Sequence, residues 1–250
     1  MIGFEAVALF LTGFVAMFYA SFAGGGALII IPILLFMGLG PTAAIATNRF
    51  AVWFQGFGRI PELYGKLGIG KKIPLLLILI HSIGGFVGAS ILVSLPQELM
   101  FKVVGVILVI GAIVTYYSHQ SLKPVKKKDI SKKSIGITAI AMLVLGIYRG
   151  LFGPGAGTIG RMISIHFLGL DFIQALTFAS YYTFFSSSAA LIVFYFSGFI
   201  DFSFGIPLAL GAITGAFIGT WVALKKGNLL MKNAFVLLAL IFGGYFLFFR

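Results

Sequence analysis

The sequence contains no cysteine, which excludes disulfides, thiolate metal sites and a cysteine nucleophile. Charge is scarce as well. Asp, Glu, Lys and Arg make up 10% of the 250 residues, against about a quarter in a soluble domain. The shortage is sharpest for acid. The six carboxylates are Glu5, Glu62, Glu98, Asp129, Asp171 and Asp201, nearly all in loops or at the ends of apolar segments. A membrane-embedded enzyme acting on lipid phosphates would want paired carboxylates, a His/Asp metal cluster or an activated nucleophile. So few acids, so placed, make catalysis the weaker expectation. No metal or other cofactor is expected.

What the chain has is apolar surface: 60% of its residues are hydrophobic, and its mean hydropathy is +1.11. A water-soluble fold has nowhere to put that much. The expected class is therefore an all-α, polytopic helical bundle in a cell membrane. Apolar segments run 4–22, 27–38, 41–58, 73–94, 97–118, 134–152, 158–168, 172–198, 203–224 and 229–249. Most approach the roughly 20 residues a helix needs to cross the hydrocarbon. The first is expected to be a span rather than a cleaved signal, because it holds Glu5, lacks a basic n-region and precedes no polar mature domain.

The net charge of +12 would suggest nucleic acid if it were spread over a soluble surface. Instead, thirteen of the 18 Lys and Arg fall in Arg59–Lys72, Lys123–Lys133 and Lys225–Lys232. Basic loops between apolar spans mark the cytoplasmic side of a membrane. No nucleic-acid partner is expected, and the lipid bilayer is the first partner.

Segments 27–38 and 158–168 are too short to span. Each follows a cluster that removes helical preference: Gly24-Gly25-Gly26 in the first case, Gly153-Pro154-Gly155-Ala156-Gly157 in the second. The clusters share an offset of 131, which takes Gly24 to Gly155, Gly26 to Gly157, Ala44 to Ala175 and Gly84-Gly85-Phe86-Val87-Gly88 to Gly215-Ala216-Phe217-Ile218-Gly219. A common offset argues for an internal repeat. With the basic stretches placed inside, the first broken pair, 4–38, starts and ends outside, and the second, 134–168, starts and ends inside. The expected organisation is thus a repeat over 1–118, a basic cytoplasmic linker over 119–133 and an inverted repeat over 134–250, with both termini outside. Inverted repeats with interrupted helices are a transporter architecture whose site lies where the breaks meet.

Arg49 stands midway along an apolar helix with no acid nearby. A charge at that depth costs at least about 2.5–3.5 kcal/mol on insertion scales, so it faces a cavity or a partner. Its planar fork suits an oxyanion, and capping carbonyls at a helix break is the other role open to it. Arg149 immediately precedes the second break and adds positive charge. Arg161 follows that break and either faces the same path or snorkels to the cytoplasm. Helices beginning after Gly26 and after Gly157 would offer N–H groups and a positive dipole end, with Thr158 as a cap of the second, and close helix packing is the other role open to these glycines. Thr47 and Asn48 flank Arg49. Thr177, Ser180, Thr183 and Ser186–Ser188 are polar within apolar helices, where bonding to their own helix carbonyls competes with ligand binding. His81 is either a proton relay or a hydrogen-bonded packing residue. Gly84, Gly88, Gly215 and Gly219, at i, i+4 spacing, are expected to pack helices.

Phe22-Ala23-Gly24-Gly25-Gly26-Ala27-Leu28, then Pro32, Gly38, Pro41 and Ala46-Thr47-Asn48-Arg49, resemble the first-half signature of the sulfite exporter (TauE/SafE) family. Gly146-Ile147-Tyr148-Arg149-Gly150-Leu151-Phe152-Gly153-Pro154-Gly155-Ala156-Gly157 and Ser197-Gly198-Phe199-Ile200-Asp201 resemble its second half. The resemblance implies a carrier of sulfite, thiosulfate or sulfonates of the sulfoacetate type. Two positions depart from the pattern of many members: Arg149 stands where an acid is common, and Ser180 where a lysine is. The expected function is a secondary transporter for a small anion, with a passive anion channel as the nearer alternative to an enzyme. The expected substrate-binding set is Gly24, Gly25, Gly26, Thr47, Asn48, Arg49, Arg149, Gly155, Ala156, Gly157, Thr158 and Ser180. A coupling ion, H+ or Na+, and assembly as a homo-oligomer are compatible with this reading.

Overall fold

A computed structural model of the chain describes residues 3–22, 24–68, 72–121 and 131–226. Most of the 119–133 linker, the expected span 229–249 and the sidedness of both termini lie outside the described residues. Regular structure among the described residues is helical: α1 (Gly3–Ala20), α2 (Ala27–Phe36), α3 (Pro41–Leu63), α4 (Lys72–Ser94), α5 (Gln97–Ser121), α6 (Lys132–Leu151), α7 (Ala156–Leu168), α8 (Phe172–Phe196) and α9 (Phe202–Lys226). Five of these, α1, α4, α6, α8 and α9, are long and apolar enough to cross a membrane. Their outward faces carry exposed Phe4, Leu79, Ile83, Ile140, Val144 and Phe196. In water such a surface would aggregate; in lipid it is the solvent-facing side.

The chain breaks where glycine predicts. Gly24 and Gly25 both take φ of +79°, a left-handed conformation that ends α1. Gly153 (φ +93°) and Gly155 (φ +76°) do the same between α6 and α7. The helices that follow are short. At 10 and 13 residues, α2 and α7 are about 15 and 20 Å long, half to two-thirds of the ~30 Å hydrocarbon.

One boundary differs from expectation. Segment 41–58 was expected to end before a cytoplasmic basic loop beginning at Arg59, but α3 continues to Leu63. The reason is that Arg59 is 6% exposed and hydrogen-bonded inside the bundle, so the backbone around it stays helical. Pro41 at the first helical position, after extended Gly40, sets the other end.

The packing interleaves the two halves of the chain. α9 lies against α1 and α3, while α4 lies against α6 and α8. Glycine makes the closest seams. A Cβ on Gly211, Gly215 or Gly219 would run into the backbone of Phe10, Phe14 and Phe18 in turn, so α1 and α9 run parallel. Gly84 meets Gly146 and Gly88 meets Gly150 in the same sense, so α4 and α6 are parallel too. Gly84, Gly88, Gly215 and Gly219 are thus packing residues, as their spacing suggests. α3 and α8 run the opposite way. Trp53 Nε1 donates to Ser188 Oγ at 2.8 Å, the Phe57 ring packs on Phe184, and Thr47 lies beside Asp201.

The described acids sit at the periphery and two of them cap helices. Asp171 and Gln174 form a reciprocal capping box at the start of α8. Asp201 Oδ1 accepts from the Ser203 and Phe204 amides and from Ser203 Oγ, closing the start of α9.

Candidate functional site

Both glycine breaks open onto one cavity of about 50 Å³. About 10–15 Å³ on this measure admits one water, so the space suits a few waters or one small ion. From the first break come Gly24, Gly25, Gly26 and Ala27, with Met17 and Ala20 above them on α1. From the second come Arg149, Gly153, Gly157 and Arg161. α3 supplies a stripe of Asn48, Val52, Gln55 and Arg59, at i, i+4, i+7 and i+11, with Arg49 beside it. α8 completes the wall with Leu176, Ala179 and Thr183.

Four arginines therefore line one small space, and no carboxylate among the described residues does. Arg49 and Arg161 are 2% exposed, Arg59 and Arg149 6%. Their hydrogen bonds go mainly to backbone carbonyls at and beside the breaks. Arg161 donates through Nη1 to the Phe22 carbonyl at 3.0 Å, through Nη2 to Ala20 at 3.4 Å and through Nε to Gly157 at 3.2 Å. Arg59 Nη2 donates to Ser21 Oγ at 3.1 Å and to the Met17 carbonyl at 3.4 Å. Arg49 Nη2 donates to the Arg149 carbonyl in the last turn of α6. The C-terminal carbonyls of α1 and α6 need donors, and a cation beside a helix C-terminus is favourable. The arginines thus brace the two breaks. Apart from the Arg161 Nε contact to Gly157 within α7, these contacts cross between elements, since α3 ties to α1 and α6, and α7 ties to α1.

Bracing leaves capacity over. The Nε atoms of Arg49, Arg59 and Arg149 have no partner, and neither do both amide atoms of fully buried Asn48 or the Oε1 of Gln55. A buried polar group without a partner costs about 1–3 kcal/mol. Five such groups on residues lining one cavity fit a polar occupant.

The expected site residues divide. Gly24, Gly25, Gly26, Asn48, Arg49, Arg149 and Gly157 line the cavity. Thr47, Gly155, Ala156, Thr158 and Ser180 do not. Thr47 lies on another face of α3, where its Oγ1 accepts from the Asp201 amide at 3.0 Å. Gly155 faces Gly111 of α5. Ala156 is packed in the apolar core. Thr158 is buried against Gly24, at the third helical position of α7 rather than at its N-cap, which is Gly155. Ser180 Oγ donates to its own helix at Leu176, 2.8 Å away. The helix-start donors are also fewer than expected. The amides of Leu28, Ala156 and Thr158 bond the carbonyls of Gly25, Gly153 and Gly155. Positive charge here comes mainly from side chains.

Two polar lining residues, Gln55 and Arg59, were not expected at the site, and Gly153 was expected only as part of the second break. The α3 stripe from Asn48 was the available signal for the first two. Arg161 proves to face the cavity rather than snorkel. His81 lies off it, its Nδ1 donating to the Met142 carbonyl at 2.9 Å and its ring packed edge-on against Tyr182.

The model of the family described as Sulfite exporter TauE/SafE matches residues 9–246. The chain belongs to the sulfite exporter TauE/SafE family. Similar curated proteins include a probable membrane transporter, ORF9, of a Sinorhizobium species, 29% identical over 93% of this chain and 88% of its own length. A probable membrane transporter of Haemophilus influenzae is 26% identical over 95% of this chain and 93% of its own length. The probable membrane transporter YfcA of Escherichia coli K12 is 26% identical over 93% and 86% respectively. No solved structure matches. This member of the TauE/SafE family is accordingly a multi-pass membrane transporter, and the four-arginine cavity is a polar space within its bundle.

Proposed function

We propose that the chain is a secondary transporter for a small anion, a sulfur oxyanion or organosulfonate such as sulfite, thiosulfate or sulfoacetate, bound in the four-arginine cavity. The observation that carries this is the convergence of Arg49, Arg59, Arg149 and Arg161 on one small space lined by no described carboxylate. Guanidinium forks match oxyanions bidentately, and an anion gives the unpartnered Nε atoms an acceptor. The family's description as sulfite exporters supports the sulfur chemistry.

The halves 1–118 and 134–250 are proposed to be inverted in the membrane, with 119–133 cytoplasmic. Three features support this. α3 and α8, related by the offset of 131, run antiparallel. The loop at Gly68 packs on Gln174, which puts the end of α3 with the start of α8. Ser134 Oγ donates to the Phe167 carbonyl, so the broken pair α6–α7 starts and finishes at one end of the bundle.

The test is ligand-induced thermal stabilisation of purified protein by sulfite, thiosulfate, sulfoacetate and acetate, with concentrative uptake in proteoliposomes. The sulfur anions should stabilise and accumulate. Arg49→Ala should lose both responses while inserting normally. Arg49→Lys should recover only part, because a point charge lacks the bidentate fork. Full stabilisation and wild-type flux in Arg49→Ala would leave this residue a brace alone and remove the cavity from the transport path. Flux that never exceeds the imposed gradient would make the protein a channel.

A further inference from the structure

We infer that this transporter is an obligatory anion exchanger: the cavity returns across the membrane only when a second anion, taken from the opposite side, occupies it. The inference rests on the anion-site reading above and adds what drives the cycle.

The argument is one of charge. Arg49, Arg59, Arg149 and Arg161 all line the cavity, and all are at least nine-tenths buried. The recorded hydrogen bonds of their side chains run to carbonyls and to one serine hydroxyl. Such neutral partners solvate a guanidinium without cancelling its charge. The described carboxylates are elsewhere: Asp171 and Asp201 cap α8 and α9, and none of Glu5, Glu62, Glu98, Asp171 or Asp201 is buried or lines the cavity. The unpartnered Asn48 amide and Gln55 carbonyl add dipoles but no net charge.

Alternating access closes a site to both sides in turn, and water leaves as it closes. With a dianion such as thiosulfate bound, closure offsets two of the four positive charges. With the cavity empty, closure dries four unpaired cations in a low-dielectric interior, where charge is far more costly than in water. The loaded and empty transits therefore differ in barrier by at least the cost of one unpaired arginine. Coupling to H+ or Na+ finds little support in the same geometry. A cation entering this space would meet four positive charges, and no described carboxylate or histidine lines it to bind one. An anion from the other side is the species that completes the cycle, and a small inorganic oxyanion of the same class as the cargo fits the space.

The test uses the full chain in proteoliposomes with radiolabelled thiosulfate outside. One set of vesicles holds unlabelled thiosulfate and the other only a zwitterionic buffer. Uptake into the thiosulfate-loaded set should be faster by about a hundredfold, the rate equivalent of one unpaired arginine in the membrane. An imposed H+ or Na+ gradient should not raise uptake into the empty set. Arg149→Gln, checked for monodispersity and thermal stability, removes one charge and should narrow the ratio between the two sets. Equal uptake into empty vesicles, or uptake there driven by a cation gradient, overturns the exchange mechanism and leaves the anion site standing. Absence of thiosulfate uptake in both sets, together with no thiosulfate-induced thermal shift, overturns the anion site and the exchange mechanism with it.

Discussion

An arginine inside a membrane bundle can be stabilised by carbonyls or by an anion, and these arginines have geometry for both. Arg161 is the most thoroughly braced, with three recorded donor contacts to the backbone of Phe22, Ala20 and Gly157. Arg59 holds Ser21 and Met17 but keeps an unpartnered Nε. The two therefore hold the first break open as well as charging it. Arg59→Met should weaken thiosulfate binding by about thirtyfold or more, the equivalent of the ~2 kcal/mol lower bound for truncating one member of a buried charge pair. Lys66→Met, at an exposed position beyond α3, should leave binding unchanged. Titration of the thermal shift against thiosulfate measures both. Equal affinities in the two variants would return Arg59 to a topological role. Its charge alone made Arg59 look like part of a cytoplasmic loop. Its spacing from Asn48 and Gln55 held the other answer, because one helical face at i, i+7 and i+11 must meet the same neighbour.

At the scale of elements, the breaks do two jobs that substitution can separate. Gly25 needs its left-handed φ, so Gly25→Val strains the turn whatever it does to the cavity. Gly157 is different. It sits in the first turn of α7 with no positive φ, it lines the cavity, and a Cβ there meets nothing within 4 Å. Gly157→Leu should therefore keep or raise thermal stability, since glycine costs a helix about 0.5–1 kcal/mol, and should abolish the thiosulfate-induced shift by filling the space. Gly146→Leu should do the reverse. Its Cβ would drive into the His81 carbonyl, force α4 from α6 and cost about 1–3 kcal/mol of stability or more. Thermal scans with and without thiosulfate read both variants. A Gly157→Leu protein that folds and keeps the full shift would place binding elsewhere. The breaks themselves were legible beforehand, because glycine clusters interrupt hydropathy and remove helical preference. Which glycines face inward was not: Gly157 and Gly155 are two residues apart, yet one lines the cavity and the other packs on Gly111.

At the scale of the whole molecule, the bundle depends on halves that clasp each other, with α9 held by α1 and α3 and α4 held by α6 and α8. The proposed inversion puts the Lys66 loop inside and the Ser197 turn outside, both at exposed positions. The chain has no cysteine to interfere, so Lys66→Cys and Ser197→Cys can each be labelled in intact cells with an impermeant maleimide. Ser197→Cys should react and Lys66→Cys should react only after permeabilisation. Reaction of both from outside would end the inverted model. Composition decided that the chain lives in a membrane as helices, because no aqueous fold can hide 60% hydrophobic residues. Local preference decided where those helices break, because glycine and proline act on their own few residues of backbone. Arg49 was recognisable as functional because an isolated charge in an apolar helix must have a reason. The convergence of Arg59, Arg149 and Arg161 on the same 50 Å³ cavity was decided only by packing. It depends on the rotation of α3 and on how α7 docks against the end of α1. Contacts between residues more than a hundred positions apart set both, and no local preference of the chain encodes them.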